Sequence, residues 1–198
     1  LADALIRDPE GYDLLRMTDG QPVAREVLLA EVLAEIDALP DERAAATAMR
    51  RIKRREMLRI AYGDLIRDQS IEVVTRQISV LADALCSAAL QAAYKKLQQR
   101  HGLPLRRDGS RCRFVVLALG KLGGEELNYS SDIDLMFLYE QDGRTEGEKS
   151  VDNREYFDRL GRQFIKLQTE ATDLGAVYRV DMRLRPEGRH GPIACSLA

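Results

Sequence analysis

Apolar residues recur at helical spacing through the first hundred positions and at strand spacing only after them. Leu29, Val32, Leu33 and Ile36 fall three to four apart, and Pro40 ends that run. Pro40-Asp41-Glu42 then opens a second helix, its acids placed in the first turn to suit the helix dipole. The later part of that helix carries Met57, Ala61 and Leu65 at steps of four, which marks them as its packed side. Ile71, Val74, Ile78, Leu81, Leu85, Ala88 and Ala92 draw a narrow apolar stripe at alternating steps of three and four. That stripe needs neighbouring helices to cover it, so residues 20–100 read as a helical bundle. A coiled-coil dimer is the alternative, over about three heptads.

The texture changes at His101-Gly102-Leu103-Pro104. Residues 101–111 hold glycine, proline, aspartate and several arginines, and read as a connecting loop. Phe114 to Leu119 is an unbroken apolar run, which predicts a strand buried on both faces. Gly120-Lys121-Leu122-Gly123-Gly124 ends it and leads toward a short helix. A second strand covers about Ile133 to Tyr139, and residues 141–150 make a polar surface loop. A helix follows with Phe157, Leu160, Phe164 and Leu167 on one side, closed by Gly175. A third strand runs from about Val177 to Leu184 and stops at Pro186. The second half is thus β-α-β-α-β, and the fold class is α+β / α/β, with a helical segment over 1–100 and a sheet domain over 101–198.

With 198 residues and 45% hydrophobic content, the chain can bury a substantial core. Charged residues make up 31% and nearly cancel, to a net charge of −2. No basic surplus recommends a nucleic-acid partner, and a polymerase of RNA ends is disfavoured for the same reason. Cys86, Cys112 and Cys195 are too far apart for a disulfide framework or paired zinc ligands, with only His101 and His190 to assist. They read as small buried thiols in a reducing cytosol. No apolar stretch approaches the ~20 residues needed to span a bilayer, so no membrane partner is expected. The start, Leu1-Ala2-Asp3, has neither a basic n-region nor an initiator Met and reads as the edge of a longer protein. The run Arg50-Arg51-Ile52-Lys53-Arg54-Arg55 has no interleaved aromatic residue and spreads around a helix, which reads as a solvated face or a protein-docking patch.

Candidate chemistry centres on Asp132-Ile133-Asp134. Residues two apart on a strand share a face, with side-chain roots ~6–7 Å apart, and two carboxylates there repel unless cations lie between them. That arrangement suits Mg²⁺, a hard ion that takes oxygen ligands and keeps waters for phosphates to displace. The glycines at 120, 123 and 124 allow close approach of backbone N–H groups to a phosphate, and Ser130 and Ser131 add hydroxyls beside the acids. On the third strand Asp181, Arg183 and Arg185 alternate with Val180, Met182 and Leu184, so one acid and two guanidiniums share a face. A third acid beside the pair would complete a two-metal site with ions ~3.5–4 Å apart. Arginine forks suit phosphate oxygens. His190, between glycines, is given no role beyond that of a loop side chain.

Gly120-Lys121, then Asp132-x-Asp134, then Asp181 on a later strand resembles the DNA polymerase β-like nucleotidyltransferase superfamily. Leu119-Gly-Lys-Leu-Gly-Gly-Glu-Glu-Leu-Asn-Tyr-Ser-Ser-Asp-Ile-Asp-Leu135 and Arg179-Val-Asp-Met-Arg-Leu-Arg-Pro-Glu-Gly188 resemble the two signatures of glutamine-synthetase adenylyltransferases. Arg54-Arg-Glu-Met-Leu-Arg-Ile60 and Ser79-Val-Leu-Ala-Asp-Ala84 are similar to the segment that precedes that core. Such enzymes have two related halves: one removes AMP from glutamine synthetase by phosphorolysis, releasing ADP, and the other attaches AMP from ATP. Asn128, Ile133 and Met182 look like the removing half, with the attaching half as the alternative. The resemblance implies two Mg²⁺ ions on Asp132, Asp134 and Asp181. It also implies nucleotide phosphates along Gly120, Lys121, Gly123, Gly124, Ser130 and Ser131. Arg183 and Arg185 are assigned to the phosphoryl group by strand parity. Glutamine synthetase is the implied protein substrate, the nitrogen-signalling PII protein an implied partner, and the cytoplasm the implied location. A non-catalytic nucleotide-binding module stays open, although it would not need all three aspartates.

Overall fold

The computed structural model describes Leu5, residues 10–186 and residues 191–198. His190 and the end of the second signature, Glu187-Gly188, lie outside the described residues. The chain mixes helix and sheet. Helices α1 (Glu10–Thr18), α2 (Arg25–Asp37), α3 (Glu42–Arg67) and α4 (Ile71–His101) precede the strands β1 (Pro104–Arg106) and β2 (Phe114–Leu119). The single turn α5 (Gly120–Gly123) leads to β3 (Ile133–Tyr139) and β4 (Gly143–Thr145). Then come α6 (Asn153–Thr169), β5 (Val180–Asp181) and β6 (Ala194–Ser196).

Helix α3 starts where the sequence places it, because the Asp41 carboxylate accepts a hydrogen bond from the Ala44 amide at 2.8 Å. The apolar stripe of α4 is consumed within the chain. From Val74 to Ala92 its members are buried against α2 and α3 on one side and α6 on the other, which leaves no seam for a coiled coil. Only Ile71, at the first turn, is exposed. This helix is long and apolar enough to cross a bilayer by length and composition, contrary to the expectation above. Its apolar character is spent on the core: 61% of its most apolar window is buried inside the protein.

The side of α3 that packs inward differs from the expected one. Ala45, Met49, Ile52, Glu56 and Ile60 face the core, whereas Leu65 is 63% exposed and Met57 only partly covered. Polar residues on the inward face obscured the pattern. Arg59, 1% exposed, donates to Glu56 Oε2 at 2.8 Å, to Gln77 Oε1 at 3.0 Å and to the carbonyl of Gln21. Gln77 in turn brackets Val23, accepting from its amide and donating to its carbonyl. A buried charge is tolerable only with such partners.

Strands β2, β3 and β5 lie side by side. β2 runs antiparallel to β3, and β5 and β6 both pair with β3 in parallel, at its beginning and at its end. β1 and β4 form a separate antiparallel pair. The inner face of the larger sheet packs on α4 and α6 through aromatic rings: Phe114 stacks on Phe157 at 5.3 Å, and Phe137 meets Phe164 edge-on at 5.3 Å. One buried cluster runs without a break from Leu28 in α2 to Ala194 in β6.

The larger sheet departs from the sequence reading in three places. β2 is an edge strand half-buried on one face and open on the other, since Phe114, Val116 and Ala118 are partly covered by the core while Val115 and Leu117 are 41% and 39% exposed. Helix α6 ends at Thr169 rather than near Gly175, which instead sits in a turn at φ 81°. The third strand shrinks to Val180–Asp181, and residues 183–186 turn. All three cysteines stay out of disulfides; Cys112 is buried, and Cys86 and Cys195 are half-buried.

The Arg59 network generates a stability prediction. Arg59→Met leaves Glu56 buried with only the half-exposed Arg55 beside it. The substitution is expected to cost about 3 kcal/mol, at the low end for a broken buried pair. Urea unfolding measures this, and a loss below about 1 kcal/mol would contradict the role given to the network.

Candidate functional site

The carbonyl end of β2 turns sharply at Gly120, whose φ of 54° lies in the left-handed region that favours glycine. A side chain there is excluded for a second reason: a Cβ on Gly120 would lie 2.5 Å from Asp134 Oδ2. Asp134 is registered with Leu119 across the antiparallel pair, so the turn and the carboxylate are brought face to face. Gly123 is tight as well, because a Cβ would meet the Ala118 carbonyl oxygen at 2.6 Å. Gly124 has room, with nothing closer than 3.7 Å. Lys121 is exposed on this turn.

The segment between the turn and β3 is tied to the helices at three points. Glu125, at φ 58°, pairs with Arg25 of α2 and with Arg76 of α4. The Leu127 amide donates to the buried Ser79 hydroxyl on α4 at 3.1 Å. The Tyr129 hydroxyl donates to Asp64 of α3 at 2.9 Å, and partial burial, reinforced by that bond, pushes its pKa up. Within the segment, Asn128 acts as a local cap. Its side-chain oxygen accepts from the Ser131 hydroxyl at 2.7 Å and from the Ser130 amide at 3.2 Å. The Ser131 hydroxyl is therefore used in the turn, while Ser130 is exposed.

Asp134 and Asp181 are direct register partners across the parallel β3–β5 pair, which puts both carboxylates on one face of the sheet. Asp132 lies two residues before Asp134 at the entrance to β3. The guanidinium of Arg183 pairs with Asp181. Its Nε donates to Asp181 Oδ2 at 2.7 Å and its backbone amide to Asp181 Oδ1 at 2.8 Å. Its pKa is raised first by that side-chain bond, then by the charge of Asp181, with smaller contributions from Asp134 and Asp132. Arg179 Nε lies 2.5 Å from Asp132 Oδ1. That contact is an ion pair outside hydrogen-bonding geometry, so the occluded Oδ1 has no hydrogen-bond partner.

As packed, no group of three His, Cys, Asp or Glu side chains among the described residues is close enough to share an ion. Two arginines hold positions beside the acids instead. The turn after Asp181 also undoes the expected alternation: Arg183 folds back on Asp181, and Arg185 donates to the Met182 carbonyl at 3.2 Å. The sequence reading gave no role to Arg179 or Tyr129. Arg179 stands two residues before Asp181, the one spacing signal that could have drawn attention to it.

A family model described as glutamate-ammonia ligase adenylyltransferase matches residues 1–198. Among curated proteins, the bifunctional glutamine synthetase adenylyltransferase/adenylyl-removing enzyme of Thioalkalivibrio sulfidiphilus is 43% identical over 176 residues, covering 89% of this chain and 18% of that protein. The protein of the same description from Pseudomonas aeruginosa is 43% identical over 179 residues, again 89% of this chain and 18% of its own length. That of Shewanella oneidensis is 37% identical over 199 residues, 100% of this chain and 21% of its own length. The chain thus spans about a fifth of the relatives it matches.

Gly120→Ala meets both the left-handed backbone and the Asp134 carboxylate, and is expected to cost at least about 1–2 kcal/mol. Gly124→Ala, with open space around it, should change stability by less than about 0.5 kcal/mol. Equal unfolding free energies for the two variants would contradict the close approach described here.

Proposed function

This chain belongs to the glutamate-ammonia ligase adenylyltransferase family, and we propose that it forms the adenylyl-removing catalytic core of such an enzyme. The observation that carries this reading is the in-register pair Asp134–Asp181, with Asp132 on the same strand entrance and Gly120 cleared from in front of Asp134. In type the donors suit a hard divalent cation, although the three carboxylates would have to draw closer together to share one. They are all carboxylate oxygens, one of them is occluded without a hydrogen bond, and another lies so close to Gly120 that a Cβ there would crowd it. Asp132, Asp134 and Asp181 would hold two Mg²⁺ ions, which when bound neutralise phosphate charge and polarise the reacting oxygens.

The substrate is adenylylated glutamine synthetase. An oxygen of inorganic phosphate attacks the phosphorus of the tyrosine-linked AMP, the bond from phosphorus to the tyrosine oxygen breaks, and the products are ADP and the free tyrosine hydroxyl, reprotonated from solvent. Such transfers need positioning and charge neutralisation more than a covalent nucleophile. The backbone amides of the Gly120–Gly124 turn, with Lys121, are suited to the nucleotide phosphates. Ser130 and Ser131 shape the adjoining loop. Arg183, released from Asp181 when cations occupy the carboxylates, meets the transferred phosphoryl group as a fork. Arg185 stands behind it, bracing the turn through the Met182 carbonyl.

The assignment to the removing half rests on Asn128, Ile133 and Met182. Asn128 has a physical role that glycine could not fill, since its side chain caps the loop that leads to Asp132. Docking of a PII-type signalling protein on the complete enzyme and a cytoplasmic location belong to the same proposal.

In the full-length protein, Asp134→Asn is expected to lower ADP release from adenylylated glutamine synthetase, Mg²⁺ and phosphate by at least about a hundredfold. The unfolding midpoint should be unchanged. An unchanged rate would remove the catalytic reading, and AMP transfer from ATP dependent on Asp134 would reassign the core to the attaching half. Arg183→Ala should tighten Mn²⁺ binding to the chain, because the competing cation is gone, while slowing phosphorolysis. Weaker Mn²⁺ binding in that variant would contradict the displacement of Arg183.

A further inference from the structure

The basic run on α3 turns two of its cations inward, onto the stretch that leads into β5. Arg50 is 2% exposed; its Nε donates to the Gly175 carbonyl at 3.0 Å, and its other nitrogens reach the carbonyls of Glu170 and Ala46. Lys53, one turn on and half-buried, donates to the Val177 carbonyl, and its Nζ stands 4.3 Å from the centre of the Tyr178 ring. Burial lowers the pKa of both groups. The amides of Val177 and Tyr178 both donate to the Gln168 carbonyl at 3.0 Å. The chain is thus gripped by helices on both sides just before it reaches Asp181.

That grip matters because β5 can do little to hold itself. It contributes only the pairs Ile133↔Val180 and Asp134↔Asp181, supported by the Ile133 amide donating to the Arg179 carbonyl at 3.0 Å. Strands of ordinary length span five or six residues, and a two-residue ladder leaves register weakly specified. Between α6 and β5 only Thr172 and Gly175 bridge each other's amides and carbonyls, and the carbonyls of Glu170 and Val177 need other donors. Cationic side chains from a long helix supply them, at the cost of desolvating two charges.

We infer that Lys53 and Arg50 are positioning residues for Asp181: they fix the chain entering β5 so that Asp181 arrives in register with Asp134. The inference rests on the reading of the three aspartates as a metal-holding centre. It assigns a role to cations that composition alone marks as a solvated surface. It also separates position from stability, because exchanging a desolvated lysine for an apolar chain of similar length is often neutral or stabilising.

The test is Mn²⁺ titration of the 198-residue chain followed by electron paramagnetic resonance, which reads metal binding without turnover. Four forms are compared: wild type, Lys53→Met, Lys53→Arg and Asp181→Asn. Lys53→Met is expected to bind Mn²⁺ about tenfold more weakly, at the low end for residues that orient metal ligands. Lys53→Arg should recover most of the affinity, and the unfolding midpoint of Lys53→Met should not fall. Wild-type Mn²⁺ affinity in Lys53→Met, with Asp181→Asn clearly weakened, overturns the positioning role and leaves the metal centre standing. Wild-type affinity in Asp181→Asn overturns the metal centre and the positioning role with it. Should Lys53→Met lower the midpoint by more than a few degrees, the four titrations are repeated well below that midpoint, where every form is folded, under the same criteria.

Discussion

The site depends on one short piece of parallel pairing, in which Val180 and Asp181 lie beside Ile133 and Asp134. Parallel neighbours in register point their side chains to the same face, so this contact alone decides whether the third carboxylate joins the other two. A shift of one residue would send Asp181 to the helix-packed side, where an unpaired charge is costly. Everything around β5 bears on that register. β3 is anchored along its length by β2 and, at its far end, by β6.

The helices take part in building the site. Helix α4 is shared by every layer: it packs on α2, α3 and α6, and through Ser79 it holds the amide that precedes the Asn128 cap. Helix α3 reaches the loop before Asp132 through Asp64 and the approach to Asp181 through Arg50 and Lys53. Both acid-bearing segments are thus held by α3, the first together with α4 and the second together with α6. Glu125 illustrates the tension this allows. A non-glycine residue at φ 58° is unfavourable, and it is held there between Arg25 and Arg76.

Much of the fold is legible where one periodicity is uncontested. The run Phe114 to Leu119 and the run Ile133 to Tyr139 are strands with the expected bounds, and Phe157, Leu160, Phe164 and Leu167 are the buried side of α6. Legibility fails where polar groups do structural work. Alternation through residues 180–185 imitates a strand, but Asp181 accepts from the backbone and side chain of Arg183 and starts a turn. The inward face of α3 is masked by Glu56 and Arg59, which are buried as partners, so a less polar side read as the packed one. Two-sided burial of β2 is inferred from an apolar run, a pattern that also suits an edge strand with one open face. For the site, the spacing of Asp132 and Asp134 and the glycines at 120 and 123 could be read directly. The arginine contacts of these acids could not, since they follow from how the β5 turn closes.

The most direct test of the account is a crystal of the chain soaked with Mn²⁺ and AMP, with the metal located by anomalous scattering. The account predicts manganese peaks bound by Asp132, Asp134 and Asp181, with the Arg183 guanidinium moved off Asp181 toward the nucleotide phosphate. Metal absent from this cluster, with Arg183 still paired to Asp181 and AMP bound elsewhere, would contradict it.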